Sequence, residues 1–221
     1  MKLLFQAIFK FTLGVLMLVL LIFWPAGTFN YWNAWLLMGL LFIPMFIAGI
    51  ILWIKNPDLL RKRLDVKEKE EEQKKVIGMS AIIFIIGFIL AGLDFRNGWS
   101  YMPVEIVSVA SIIFVISYIL YAEVLRENAY LSRTIEVQEN QKVIDTGLYG
   151  IVRHPMYFAT TILFLSFPVV LGSWFSFAIF CFFPFVLVKR IKNEEEVLEN
   201  GLEGYKEYKQ KVKYRMIPFV W

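Results

Sequence analysis

The sequence predicts an all-α fold: a polytopic membrane helical bundle of about six transmembrane helices, the last two a short hairpin, with a cytoplasmic C-terminal amphipathic helix. Three observations carry this. Hydrophobic residues make up 58% of the 221 and charged residues only 19%, more apolar surface than a soluble domain of this size could bury. Four stretches, residues 11–54, 76–93, 106–122 and 155–188, carry no Asp, Glu, Lys or Arg. Finally, 22 of the 23 Lys and Arg residues fall in segments that an even number of spans places on one side.

A helix rises about 1.5 Å per residue and the hydrocarbon core is about 30 Å thick, so one span needs roughly 20 apolar residues. The first stretch is long enough for two spans. Its middle, "WPAGTFNYWN" (residues 24–33), supplies Pro, Gly and Asn for a turn, and Trp and Tyr of the kind that settle at headgroup level. The apolar part of residues 1–24 is longer than a typical signal-peptide core and a second span follows at once, so the first helix is expected to be retained. Residues 76–93 and 106–122 each supply one further span.

The last stretch divides at "FPVVLGSW" (residues 167–174) into two spans of about 16 residues. These are short for full crossings unless the bilayer thins or they pack as a buried hairpin. Only Arg96 falls on the side opposite the other basic residues, so both termini are expected in the cytoplasm and the protein is expected to be integral and multi-pass. The net charge of +4 then reads as attraction to an anionic inner leaflet, not as nucleic-acid binding. A lone cysteine, Cys181, excludes an internal disulfide, and with a lone histidine it cannot supply the four ligands of a structural zinc site.

The chain reads as one membrane domain over residues 1–221. Residues 55–75 mix eight basic and six acidic side chains with Leu59, Leu60 and Leu64, which suits a helical loop resting at the headgroups. Residues 125–155 form a long connection with a strand-like alternation at "TIEVQ" (134–138) and glycines at 147 and 150. Beyond Val188, Val197, Leu198, Leu202, Tyr205, Tyr208 and Val212 recur at helical spacing, interrupted by Gly201 and Gly204.

Hydrocarbon does not tolerate unpaired polar groups, so polar residues gathered where helices emerge mark the place for a polar ligand. Two such clusters occur. "QENQKVIDTGLYGIVRHPMY" (138–157) offers Gln138, Gln141, Lys142, Tyr149, Arg153 and His154 ahead of a helix that Pro155 opens, with nearby backbone N–H groups open to a ligand. "KRIKNEEE" (189–196) places Arg190 and Glu194 four residues apart, on one helical face. The 34-residue apolar excursion between them is a hairpin, so both return to the same surface.

Taken singly, each residue has a plainer reading. His154 suits an interfacial histidine, Arg153 a headgroup anchor, Arg190 with Glu194 an intrahelical pair, and residues 194–196 a solvated face. The conjunction says more. "TGLYGIVRHPMY", a hairpin, "RIKNEEEVL" and then "GYKEYKQKVKYRMIPFVW" resemble the isoprenylcysteine carboxyl methyltransferase and phospholipid methyltransferase superfamily of membrane enzymes, over residues 125–221.

That resemblance implies a methyltransferase-like, cofactor-binding half over 125–221 and S-adenosylmethionine as the cofactor, held on the cytoplasmic side without a Rossmann fold. No Gly-rich dinucleotide fingerprint occurs. Carried over by position, Gln138, Gln141, Lys142, Val143, Ile144, Tyr149, His154, Pro155, Met156 and Tyr157 line the cofactor, Glu194 completes its site, Arg190 faces the methyl acceptor, and Arg190 and Glu194 are the implied catalytic residues. The implied partners are membrane lipids and a lipid or lipidated acceptor such as an isoprenylcysteine carboxylate, with no metal and no nucleic acid. If the acceptor is an amine, Glu194 or Glu195 takes its proton. Two other classes share part of the pattern: NADPH-dependent membrane sterol reductases, which carry an Arg-His-x-x-Tyr-like stretch, and a non-catalytic scaffold of the same fold.

Overall fold

A computed structural model describes residues 2–65, 71–131, 135 and 137–221, side chains 71 and 72 excepted. The helices in chain order are α1 (Lys2–Ala26), α2 (Trp32–Lys55), α3 (Pro57–Leu64), α4 (Glu71–Asn97), α5 (Val104–Glu127), α6 (Pro155–Val170), α7 (Trp174–Phe180), α8 (Phe183–Gly201) and α9 (Tyr205–Lys211), with a 3-10 turn at Gly147–Gly150 before α6. No strand forms among the described residues. Residues 134 and 136 of the expected alternation, like the middle of the charged loop at 66–70, lie outside them.

Among the described residues five helices are long and apolar enough to cross a membrane, the last being the nearly continuous Trp174–Gly201, and α6 is a shorter apolar helix of 16 residues. This is a multi-pass membrane protein. The hairpin expected over 155–188 is present, but its limbs are unequal. At 16 residues α6 spans about 24 Å, whereas the second limb turns at Cys181 and Phe182 between α7 and α8 and continues past Val188 to Gly201. The C-terminal amphipathic helix is broken where the sequence weakens it: Leu202 leaves helical geometry, Gly204 has φ +81°, and α9 starts again at Tyr205. Leu202, Tyr205, Tyr208 and Val212 still form one buried cluster with Leu198, Val137 and Val143.

Lipid tails are as apolar as leucine, so packing and internal hydrogen bonding hold such a bundle together. The core is aromatic. Phe84 of α4 meets Phe164 of α6 edge-on at 4.7 Å and Phe180 of α7 at 5.2 Å, and Phe167 stacks on Phe114 of α5 at 5.5 Å. Hydroxyls inside the spans, among them Ser111, Ser117, Thr161 and Ser166, donate to the carbonyl one turn earlier and so leave no bare donor in hydrocarbon. The carbonyls of Val170 and Leu171, at the end of α6, take side-chain donors from α2 and the turn before it. Asn33 donates to Val170 at 2.8 Å and Tyr31 to Leu171, while Ser173 and the Ser100 amide both donate to buried Asp94. This ties the three turns at one end of the bundle together.

α1 and α4 approach closely at Gly92, where a Cβ would fall 2.5 Å from the Ile22 carbonyl oxygen and 2.9 Å from Pro25. Small residues permit this kind of backbone approach in membranes. Gly92→Val is expected to cost about 1–3 kcal/mol by overpacking, read as a lowered unfolding temperature in detergent. Gly49→Val, where a Cβ meets nothing within 4 Å, is the matched control and is expected to leave that temperature near wild type.

The opposite end of the bundle carries the basic segments. There Lys10 of α1 donates to the Leu64 carbonyl, Arg63 to the Tyr121 hydroxyl of α5, and Lys62 to Gln138 beyond α5. α3 is thus an end-plate with Leu59 and Leu60 buried beneath it. Residues 147–157 and 190–216 pack at this same end.

Candidate active site

Both arms of the apolar excursion meet here around one cleft. His154 precedes α6 in non-helical geometry and Pro155, which lacks an N–H, fills the first turn. The amides of Arg153 and His154 do not stay open to a ligand: they donate to the carbonyls of Tyr214 and Arg215 at 2.9 and 2.7 Å. The C-terminal segment therefore runs alongside the start of α6 and closes the floor of the site.

Beneath that floor Glu195 is the hub. Its side chain is 3% exposed and meets the Arg153 guanidinium at 2.7 Å, His154 Nε2 at 3.3 Å and Arg215 Nε at 2.9 Å. Arg153 also donates to the carbonyls of Val212 and Lys213. A buried carboxylate needs such pairing to offset its desolvation. So engaged, Glu195 is not placed to accept a proton from an acceptor amine, and of the two glutamates offered for that role only Glu194 faces the cleft.

Above the hub, the Tyr157 hydroxyl donates to Glu194 Oε2 and accepts from Arg190 Nε at 2.9 Å. Arg190 and Glu194 share a face, as their spacing requires, but Tyr157 bridges them. Arg190 Nη1 donates to Gln73 Oε1 at 2.9 Å, and Gln73 Nε2 donates in turn to Asn193. The guanidinium also lies over the Tyr157 ring at 5.9 Å.

The loop after α5 forms the far wall. Glu127 accepts from the Thr146 hydroxyl and the Leu148 amide, across a turn where Gly147 has φ +51° and a Cβ would fall 2.2 Å from the Glu127 carboxylate. Only glycine fits there. Asn128 donates to the Tyr149 hydroxyl and Tyr208 to the Tyr149 carbonyl, while Lys211 pairs with Asp145, so α9 is fastened to this loop. Burial pushes the Tyr149, Tyr205 and Tyr208 phenols up, and all three stay neutral hydroxyls at physiological pH.

The cleft between these walls is open at its mouth and is lined from α6, α8, α9 and the loop after α5. Of the residues expected to line a cofactor, Gln141, Lys142, Val143, Ile144, Tyr149, His154, Met156, Tyr157 and Glu194 do line it, together with Arg190. Gln138 and Pro155 do not. Gln138 donates to the Tyr130 carbonyl and accepts from Lys62, which anchors the loop to α3, and its amide N–H bonds Gln141. Pro155 opens α6 without facing the cleft. Sequence reasoning missed Asn128, Tyr130 and Gln73, and gave Tyr205 and Tyr208 only as an amphipathic face. The 205/208 periodicity on the approach to "YRMIP" was the available signal for those two; nothing near Gln73 marked it.

The lining suits a zwitterionic nucleoside: a carboxylate at Glu194 to accept from hydroxyls or an ammonium, an amine at Lys142, and broad tyrosine faces for a flat heterocycle. Comparison with known proteins gives two similarities. Residues 105–203 match the family model "Phospholipid methyltransferase", which lies within the isoprenylcysteine carboxyl methyltransferase/phospholipid methyltransferase superfamily. The matched region contains α6–α8 and nearly all of the cleft. A second similarity is to Delta(14)-sterol reductase of Mus musculus, 31% identical over 91 residues, which amount to 40% of this chain. The matched stretch spans 22% of that relative's length.

Proposed function

We propose that the protein transfers the methyl group of S-adenosylmethionine to a lipid or lipidated acceptor at the cytoplasmic membrane surface, with an isoprenylcysteine-like carboxylate as the acceptor type. The observation that carries this reading is the junction of His154–Tyr157 with Arg190–Glu194 around one cleft, at the point where the apolar part of α8 ends. A lipid lying in the bilayer can bring its polar end to Arg190 while its tail stays among the helices. Gln141, Lys142, Val143, Ile144, Tyr149, His154, Met156 and Tyr157 hold the cofactor, with Gln138 acting on it through the loop.

Bound there, the cofactor supplies an electrophilic methyl group on a sulfonium. The protein has correspondingly little acid–base work to do. Glu194 and Tyr157 fix the cofactor end, Arg190 holds the acceptor's anionic group, and the tyrosine wall excludes water. Such alignment is worth up to about 7–11 kcal/mol. A carboxylate acceptor needs no general base. An amine would need one, and Glu194 is the carboxylate in reach.

The similarity to a sterol reductase favours a second reading, reduction with NADPH. Incubating membranes that contain the protein with methyl-labelled donor, and in parallel with NADPH and a sterol mixture, separates the two. Label in the lipid-soluble product is expected. Oxidation of NADPH with all label left on the donor would establish the reductase instead.

A further inference from the structure

The family match begins at residue 105, yet one polar contact to the cleft comes from well before it. Gln73 lies near the start of α4 and is fully buried. Its carboxamide oxygen accepts from Arg190 Nη1 at 2.9 Å, and its nitrogen donates to Asn193 Oδ1 and lies 3.4 Å from the Arg190 carbonyl. With Arg190 Nε fixed on the Tyr157 hydroxyl, two edges of one rigid guanidinium are pinned by two different helices.

We propose that Gln73 is a positioning residue for Arg190: it sets the guanidinium plane that receives the anionic group of the methyl acceptor, and so ties acceptor recognition to the N-terminal half of the chain. This rests on the methyltransferase reading above. Any buried carboxamide needs both of its ends matched, and here both partners lie on α8 beside the cleft. Here oxygen meets a donor and nitrogen meets an acceptor, so rotating the amide by half a turn would break both contacts. α4 also packs against α1, α7 and α8, which gives the contact a stiff base.

On that reading the two substrates separate. Gln73 touches Arg190 and Asn193 but does not line the cofactor cleft, so its loss acts on the acceptor side. The test is transfer of label from methyl-labelled donor by the full-length protein in mixed micelles, titrated with the total lipid extract of its own membranes. Gln73→Met keeps the volume and removes both hydrogen bonds. It is expected to raise the acceptor KM at least about fivefold while the donor KM stays within about twofold. In an Arg190→Ala background the same change is expected to add no further loss, because the residue it positions is gone.

Gln73→Glu keeps an oxygen for Arg190 and guards against a Met variant that fails to fold. Its extra negative charge is expected to raise the acceptor KM as well, again with the donor KM unmoved. An unchanged acceptor KM in either folded variant, an equal rise in both KM values, or a full additional loss on top of Arg190→Ala overturns the proposal. Absence of label transfer by the wild-type protein would instead overturn the methyltransferase reading on which it stands.

Discussion

Glu194→Ala and Arg190→Ala are each expected to lower methyl transfer at least about tenfold while leaving a folded protein, since each removes a group that faces the cleft rather than one that supports it. The two should differ in kind. Glu194 is bonded to Tyr157 and in the proposed reaction holds the cofactor, so its loss should weaken donor binding and the rate together. In the proposed reaction Arg190 meets the acceptor, so its loss should fall on the acceptor KM and spare equilibrium binding of the donor. Initial rates over a grid of donor and acceptor concentrations, with donor binding measured separately, resolve the two patterns. Unchanged transfer in either variant would remove that residue from the site.

Glu195→Leu is expected to be the most destabilising single change at this end of the bundle, by about 3–5 kcal/mol, because it leaves the Arg153 charge buried without its carboxylate. His154 loses its partner as well, and so does Arg215, which is more exposed at 28%. Since Arg153 also holds the carbonyls of Val212 and Lys213, the C-terminal segment should loosen with it. Thermal unfolding in detergent should show the loss, and hydrogen exchange should rise first at the Arg153 and His154 amides. Arg215→Ala, removing the outermost of the three cations, should cost markedly less. Equal losses for the two variants would show that Glu195 is not a buried hub.

Much of this arrangement was legible in the sequence because two simple constraints act on it. Bilayer thickness limits the length of charge-free stretches, which indicated a multi-pass helical bundle and a short apolar helix at 155–170. Retention of Lys and Arg on one side fixed which ends of the helices meet. Together they required residues 153–157 and 190–195 to come out on one surface, and the Tyr157 bridge between Arg190 and Glu194 is the local form of that requirement. The family motifs then indicated which side chains belong to the cleft.

What stayed hidden depends on contacts between segments distant in sequence and on which way a side chain turns. Glu194 and Glu195 are adjacent and chemically identical, but successive helical positions differ by about 100°. One therefore faces the cleft and the other the cations below, a choice set by where Arg153 and the C-terminal strand of backbone settle. Gln138 turned toward Lys62 because α3 folds under the loop, which no local pattern announces. Gln73 falls in the charged segment that reads as a helical loop at the headgroups, and only the packing of α4 on α8 makes it a partner of Arg190. The unequal hairpin likewise follows from α8 continuing beyond the apolar run as one helix.

The central claim is that the two arms of the apolar excursion jointly hold S-adenosylmethionine. Equilibrium binding of the labelled donor to purified wild-type protein, compared with Tyr157→Phe and Glu194→Ala, tests it most directly. Saturable binding by wild type, weakened in both variants although the altered residues come from different arms, is the expected result. Retention of NADPH with no measurable binding of the donor would contradict it.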